Sequence, residues 1–299
     1  MASLFNKLSD KLKWIYLGIV DNFPGVSMDF SWKLRWRMRN DRNPLFVVIQ
    51  DKYLVKEYAR RKGVRATEEF YVTDNPETIP FDTLPSNYFI KANHGCKWNI
   101  YCKNGEFYYY SDGEDLIGRK NLTKYKISRD QVIEYCKVWL NTIYSKKEWA
   151  YGQNPPKNYG RGSLGAAWRW RTYGFRCFTF NGVVRAVYVD SPTYAVNHQK
   201  IYVDSNWNEF PLKNLQEVTP HILPQKPDNF NELIEVAEKL GRDFDFVRID
   251  LYNASCGITL GEMSVYPMGG ISLQPTPDED FNKWLGDYWI LPFESNKKS

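Results

Sequence analysis

The chain has few of the residues that build disulfide frameworks and metal centres. Its 299 residues include five cysteines, which are odd in number, scattered and without a CxxC pair. This pattern argues against both a disulfide framework and a structural zinc site. The three histidines lie far apart in sequence, which argues against a histidine-rich metal centre. We therefore predict a cytoplasmic protein.

Long hydrophobic runs, internal repeats and low-complexity segments are also missing. The apolar run from Trp14 to Val20 has seven residues, which is too short to cross a bilayer, and no small-residue cleavage site follows it. Lysines at positions 7, 11 and 13 precede or flank this run. We predict an amphipathic helix that docks on the body of the protein, with peripheral association with a membrane surface as the alternative.

Aromatic residues and one basic run are abundant instead. Aromatics make up 16% of the chain, and Tyr and Trp present flat faces that suit stacking on bases or sugar rings, although most are expected to fill the core. The basic run is KLRWRMRNDR, residues 33–42. This run could contact nucleic acid or acidic lipid. A solvated basic face or a rim for an anionic substrate explains it equally well, so we expect no nucleic-acid partner. We divide the chain into a basic and aromatic helical segment, residues 1–44, and one larger domain, residues 45–299.

The stretch FVRIDLYNASCGITLGEMS, late in the chain, has the clearest chemistry. Alternation along its first half places Arg248 and Asp250 on one face. A hairpin symmetric about Ser255 would pair Arg248 with Glu262 and make Asp250 and Glu262 diagonal neighbours, with Ser264 one step further along the same face. Two carboxylates and a hydroxyl suit a hard cation such as Mg²⁺. The alternative is that Arg248 pairs with one of the carboxylates on a solvated face of the sheet.

A second candidate site follows a strand that we predict over residues 88–92. Lys91 stands near the end of this strand, and a loop with His94 and Gly95 comes next. The lysine would supply charge and the loop backbone N–H groups to a phosphate. Because one glycine does not make a phosphate loop, this pattern alone is a weak signal.

Turn and cap residues outline the remaining architecture. Asn-Gly pairs at 104–105 and 181–182 predict two β-hairpins. Helices are predicted over 128–144, where Ser128 can cap, and from Asn229, where Asn followed three residues later by Glu fits a capping box. The glycine-rich and arginine-rich stretch 151–174 is interpreted as a mobile lid or an ordered connector. We predict an α+β protein, with two lobes and a cleft between them.

Several short blocks occur in a characteristic order. They are DKY at 51–53, FIKANHG at 89–95, FNG at 180–182, NH at 197–198, FVRIDLY at 246–252 and GE at 261–262. This ordered set resembles the TupA-like branch of the ATP-grasp superfamily and spans residues 45 to 290. The resemblance implies an ATP-grasp fold, in which ATP and Mg²⁺ lie between two α+β lobes.

The resemblance also implies an ATP-dependent carboxylate–amine ligase, which forms an amide through an acylphosphate. In this branch the expected setting is bacterial surface-polysaccharide synthesis, where an amino acid or amine is joined to a glycan precursor that contains uronic acid, or to a peptide. The alternatives are an ATP-using sugar phosphotransferase and a non-catalytic relative that binds a glycan or a partner.

Roles for individual residues follow from the same resemblance. It assigns Mg²⁺ to Asp250, Glu262 and Ser264, and the ATP phosphates to Lys52, Lys91, His94 and Gly95. It gives Arg176 the place of a phosphate-facing basic residue, and it assigns the substrate carboxylate or the acylphosphate to His198 and Arg248. These three are the predicted catalytic residues. Family members usually carry an acidic pair just before the strand of Arg176, whereas residues 163–170 contain neither Asp nor Glu.

Overall fold

Two six-stranded sheets form the framework of the protein. The computed structural model describes residues 10–22, 28–96, 98–110, 125–145, 147–162, 174–190, 200–212, 223–270 and 279–295. The helices in these ranges are α1 Asp10–Val20, α2 Phe30–Asn40, α3 Pro44–Gln50, α4 Leu54–Arg61, α5 Arg129–Leu140, α6 Phe230–Gly241, α7 Glu279–Asp287 and α8 Pro292–Ser295. The strands are β1 Arg65–Ala66, β2 Glu69–Thr73, β3 Asn87–Ala92, β4 Asn99–Lys103, β5 Glu106–Tyr110, β6 Lys126–Ile127, β7 Asn158–Gly162, β8 Gly174–Phe180, β9 Val183–Asp190, β10 Lys200–Val203, β11 Phe246–Ala254 and β12 Gly257–Ser264.

The two sheets differ in where their strands come from along the chain. The N-terminal sheet has the order β2-β7-β3-β4-β5-β6, and all its neighbours are antiparallel. The C-terminal sheet has the order β1-β12-β11-β8-β9-β10, in which only the β1–β12 pair is parallel. Both predicted Asn-Gly hairpins are present, and Asn104 and Asn181 have the positive φ that such turns require. The predicted α+β architecture with two sheet-based lobes is confirmed.

Apolar helix faces cover both sides of the C-terminal sheet. On one side, Val247, Ile249 and Leu251 of β11 belong to a core cluster that α6 completes. On the other side, rings of the strands pack against α2 and α7, and the residues involved include Phe178, Phe180 and Phe246. Because side chains alternate along a strand, Arg248 and Asp250 lie on the same side of the sheet as Phe246. They lie beyond the part of this side that α2 and α7 cover.

A single helix covers the outer face of the N-terminal sheet. Helix α5 packs Val132, Cys136 and Trp139 against that face, and Ser128 caps the helix by accepting a hydrogen bond from the Gln131 N–H at 3.2 Å. The helix ends at Leu140 rather than at the predicted residue 144. The opposite face of the sheet carries aromatic side chains and Lys91 and looks toward the C-terminal sheet.

Two local predictions are wrong. Residues 158–162 form β7, an inner strand between β2 and β3, instead of starting a lid. Gly160 permits this pairing because a Cβ at that position would run into the ring of Tyr71. The predicted capping box at Asn229 is not formed, since its side chain exchanges hydrogen bonds of 2.9 and 2.7 Å with Asn253.

Most of the basic run lies inside the protein, in ion pairs. Arg35 and Arg39 bind the buried carboxylate of Asp21 at 2.6 and 2.8 Å. Lys33 is buried and pairs with Glu294 at 2.9 Å. The interpretation of the run as a solvated basic face is therefore wrong for these residues, and their charges stabilise the attachment of α2 instead.

Arg37 occupies the centre of this attachment. Its side chain is fully buried, donates a hydrogen bond of 2.8 Å to the Phe246 carbonyl and pairs with Asp245. The guanidinium also lies 4.2 Å from the centre of the Trp289 ring. Helix α2 thus contributes to the same core as β11, while the division of the chain at residue 44 stays a prediction.

Helix α1 has the predicted amphipathic docking. Leu17 is fully buried, and Trp14 packs against the core. Within the described parts of the chain, no helix is long and apolar enough to cross a membrane.

Candidate functional site

One cavity between the two sheets brings together four of the predicted site residues. Its wall includes Lys91 from β3, Lys52 from the turn between α3 and α4, and Asp250 and Glu262 from β11 and β12. These side chains come from four separate segments of the chain. The cavity therefore brings two ammonium side chains and two carboxylates together, and their predicted roles stay predictions.

The carboxylates meet through a register that differs from the prediction. Ala254 pairs with Gly257, so the turn is tighter than a hairpin symmetric about Ser255. A β-bulge then shifts the pairing between Leu251 and Asp250, and Asp250 lies directly opposite Glu262. Directly opposed residues in an antiparallel pair have their Cβ atoms about 5 Å apart, closer than the predicted diagonal arrangement. The predicted register is wrong, and the observed register places the two carboxylates nearer to each other than predicted.

Gly261 is the extra residue of the bulge. Leu260 and Met263 both face the core, although they are three positions apart, because the bulge reverses the alternation between them. Without the extra residue, Glu262 would occupy the core-facing side. A Cβ at position 261 would lie 2.6 Å from the ring of Tyr252 and 3.1 Å from the Asp250 carbonyl oxygen. A glycine therefore allows the approach that places Glu262 beside Asp250.

Asp250 is held by two arginines. Arg248 donates two hydrogen bonds to it, from Nε to Oδ1 at 2.7 Å and from Nη2 to Oδ2 at 2.8 Å. Arg176 lies directly opposite on β8, with its Nε 3.7 Å from Oδ2. Burial acts to lower the pKa of Arg248, but Asp250 and Glu262 outweigh it, so the pKa is raised. Because Arg248 occupies both oxygens of Asp250, a metal ion at this carboxylate would have to displace the guanidinium or share the oxygens with it.

The segments around Lys52 and Lys91 are hydrogen-bonded to each other. Asn93 donates to the buried carboxylate of Asp51 at 2.6 Å, and the Lys52 N–H donates to the Asn93 carbonyl at 3.0 Å. The Lys52 ammonium donates to the carbonyl of Gly95. Lys52 and the loop after Lys91 thus form one unit at the wall of the cavity.

His94 is directed away from the cavity. Its Nδ1 is 2.8 Å from the side-chain oxygen of Asn93, and its Nε2 is 2.9 Å from the carbonyl oxygen of Trp139, at the end of α5. Burial lowers the pKa of His94, against the opposing effect of these carbonyls. The side chain joins the loop to α5, and only the loop backbone remains available for the predicted contact with phosphate.

The donor set on β11 and β12 fits a hard cation. Asp250, Glu262 and Ser264 share one face, since Ser264 pairs with Arg248 in the register of the hairpin. In the described parts of the chain, no group of three or more His, Cys, Asp or Glu side chains could hold a metal ion. Two carboxylates and a hydroxyl leave coordination positions for water and phosphate oxygens, which is how Mg²⁺ is usually bound. Metal binding by these residues stays a prediction.

Two further predictions fall outside the described residues. His198 lies in 191–199. Residues 163–170, which contain neither Asp nor Glu, lie in 163–173.

Glu148 is a carboxylate near the site that sequence reasoning missed. It precedes the short helix Trp149–Gln153, and its N–H donates to the Ser145 hydroxyl at 3.2 Å. Burial and the negative charge of Glu262 raise the pKa of Glu148 to about 7. No local pattern marks this residue, because its proximity to Glu262 depends on tertiary packing, in which the short helix after it contacts α3.

Comparison with known proteins identifies one family. The family model for TupA-like ATPgrasp matches residues 166–290, less than half of the chain. This match confirms the predicted resemblance to the TupA-like ATP-grasp branch and covers β8 to β12 and α7, the part that contains Asp250 and Glu262. No curated protein sequence matches the chain significantly.

Solved structures with a similar arrangement include two D-alanine–D-alanine ligases. The enzyme from Bacillus anthracis, complexed with ATP, is 13% identical, with a TM-score of 0.44, and the match covers 84% of this chain and 67% of that one. The enzyme from Helicobacter pylori is 14% identical, with a TM-score of 0.45 and coverage of 82% and 62%. D-cycloserine synthetase DcsG is 11% identical, with a TM-score of 0.44 and coverage of 82% and 70%. The chain thus spans about two thirds of the length of these proteins, and likenesses at these TM-scores carry no functional argument.

Proposed function

We propose that this chain, whose residues 166–290 match the TupA-like ATP-grasp family, is an ATP-dependent carboxylate–amine ligase. The observation that carries the proposal is the shared cavity, which Lys52 and Lys91 line together with Asp250 and Glu262. Ammonium groups suit phosphate oxygens, and paired carboxylates suit Mg²⁺. The cavity therefore contains the side chains that a magnesium–nucleotide complex needs.

ATP with Mg²⁺ would supply the phosphoryl group that activates a substrate carboxylate as an acylphosphate and would leave as ADP. An amine would then attack the acyl carbon, form the amide, lose a proton and release inorganic phosphate. Lys52 and Lys91 bind and orient the phosphates, and Asp250 and Glu262 hold the metal ion. Arg248 and Arg176 both lie beside Asp250. With Mg²⁺ bound at Asp250, Arg248 would hold the substrate carboxylate and Arg176 would face the phosphate. Phosphoryl transfer of this kind depends on charge neutralisation and positioning more than on an acid–base pair.

The substrates and setting are proposed from the family resemblance. We propose that an amino acid or amine is joined to a glycan precursor that contains uronic acid, in the cytoplasmic stage of bacterial surface-polysaccharide synthesis. His198 and Ser264 are proposed to assist at the substrate carboxylate and the metal ion.

Nucleotide binding is the first test. Addition of Mg²⁺ with ATP or a non-hydrolysable analogue is expected to raise the melting temperature, and Mg²⁺ or nucleotide alone is expected to do less. Glu262→Gln is the more specific test of metal binding, because Asp250→Asn would also leave Arg248 without its charge partner. We expect Glu262→Gln to lose the Mg²⁺-dependent part of the shift, whereas Glu235→Gln on the exposed side of α6 retains it.

The lysine side of the cavity is tested in the same way. Lys91→Met should weaken nucleotide binding, and Lys103→Met, at an exposed position in the same sheet, is the matched control. No shift with any nucleotide would contradict the proposal.

Product analysis separates ligase from kinase. Phosphate release that requires both a carboxylate and an amine supports the ligase. Transfer of phosphate to a sugar, with no amine required, would contradict the ligase proposal and support a phosphotransferase.

A further inference from the structure

The outward face of α1 is apolar although it does not contribute to the core. Leu12, Ile15 and Ile19 are 51, 52 and 57% exposed, and Tyr16 is 37% exposed. Leu12, Ile15 and Ile19 follow the 3-4 spacing of one helical stripe, and Tyr16 lies one turn after Leu12 on the same face. The stripe lies opposite Leu17, which is fully buried. One side of α1 therefore packs against the protein, and the other side presents exposed apolar area.

We propose that this stripe docks on the surface of an anionic lipid bilayer, with α1 lying parallel to the membrane. Apolar side chains on one face of a surface helix enter the boundary between headgroups and acyl chains, and nearby lysines bind anionic headgroups. Tyr16 is of the residue type that prefers this boundary. The proposal is independent of the ligase function.

Charge around α1 favours lipid over a second copy of the chain. Residues 1–20 contain three lysines and one aspartate, and Lys11 is exposed at the edge of the stripe. The next acidic residue, Asp21, is buried and bound to Arg35 and Arg39. The net positive charge of residues 1–20 disfavours a symmetric dimer through this segment, whereas an anionic surface is complementary to it.

The position of α1 relative to the cavity gives this docking a consequence. Lys147 lies 5.1 Å from the centre of the Trp14 ring, and the adjacent Glu148 is electrostatically coupled to Glu262. The segment that supports α1 is therefore also the segment beside the candidate metal site. A protein docked through α1 would hold this wall of its cavity close to the bilayer.

Vesicle flotation tests the proposal with the full chain. Wild-type protein is expected to float with vesicles of phosphatidylcholine and phosphatidylglycerol and much less with phosphatidylcholine alone, and added salt should weaken binding. The double variant Ile15→Ser and Ile19→Ser should lower partitioning by at least about tenfold, the loss expected when two half-exposed isoleucines no longer insert. Lys11→Glu should lower binding to anionic vesicles only.

The matched control carries the same changes on another exposed apolar surface. Val138 and Ile143 are 57 and 62% exposed, so Val138→Ser with Ile143→Ser removes similar exposed area at the end of α5. Both double variants should melt at the wild-type temperature. Absence of wild-type flotation, or equal loss in the control, would overturn the proposal. It would also be overturned by a lipid-free dimer that Ile15→Ser with Ile19→Ser dissociates, because a second copy would then cover the stripe.

Discussion

Substitution of Gly261 by alanine should damage both the hairpin and the metal site. The new Cβ would lie 2.6 Å from the Tyr252 ring and 3.1 Å from the Asp250 carbonyl oxygen. The ring can move, but the carbonyl belongs to the strand that carries Asp250, so the bulge itself has to shift. Inserting a methyl group into such a packed position costs about 1–3 kcal/mol. A lowering of the melting temperature by roughly 2–8 °C follows for a chain of this size.

A thermodynamic cycle separates the two contacts. In a Tyr252→Ala background the ring contact is gone, so Gly261→Ala should cost less, with a coupling of about 1 kcal/mol. Gly152→Ala is the control, since a Cβ there meets no atom within 4 Å. We also expect Gly261→Ala to reduce the Mg²⁺-dependent stabilisation by nucleotide, because displacement of Glu262 separates it from Asp250. Wild-type stability, together with an unchanged nucleotide response, would refute the role given to the bulge.

Two further predictions concern buried charge. The pKa of Glu148 is raised from 4.5 to about 7, so the unfolded chain releases this proton first and stability should fall as pH rises between these values. Glu148→Gln should remove this pH dependence and raise the free energy of unfolding by up to about 3 kcal/mol above pH 7. The same pH dependence of the free energy of unfolding in both proteins, measured by urea denaturation, would contradict this prediction. Arg37→Met should destabilise the protein by about 1–3 kcal/mol, since the Phe246 carbonyl loses its buried donor and the partly exposed Asp245 loses its charge partner. Arg61→Met, at an exposed position, should change the urea midpoint little, and equal effects of the two variants would show that burial of Arg37 does not matter.

Local patterns predicted several elements correctly. Asn-Gly pairs indicated both hairpins, because a tight turn needs two residues with positive φ and few residue types adopt it. Ser128 indicated the start of α5 for an equally local reason, the need to bind the first free N–H groups of a helix. The same reasoning failed at Asn229, where a residue distant in sequence, Asn253, competes for the side chain.

Features that depend on contacts distant in sequence were not predictable in this way. Strand β7 is glycine-rich and lacks the alternation that predicts a strand. Its Gly160 leaves room for the ring of Tyr71 on the neighbouring strand, a contact that the sequence does not reveal. The charges of the basic run predict a surface segment, because its partners Asp21 and Asp245 lie beside it only in the folded structure. Glu148 joins the site through tertiary packing alone.

The sequence alone determined which side chains are available for chemistry: a lysine near the end of a strand, an Arg-x-Asp strand and a Glu that follows a glycine. Alternation placed Arg248 and Asp250 on one face because successive side chains of any strand point to opposite sides. Only the tertiary structure decided that Asp250 lies directly opposite Glu262, and that both share a cavity with Lys52 and Lys91. The physical reason is that register and the meeting of two sheets are set by packing between distant segments, and at Gly261 a missing Cβ decides that packing.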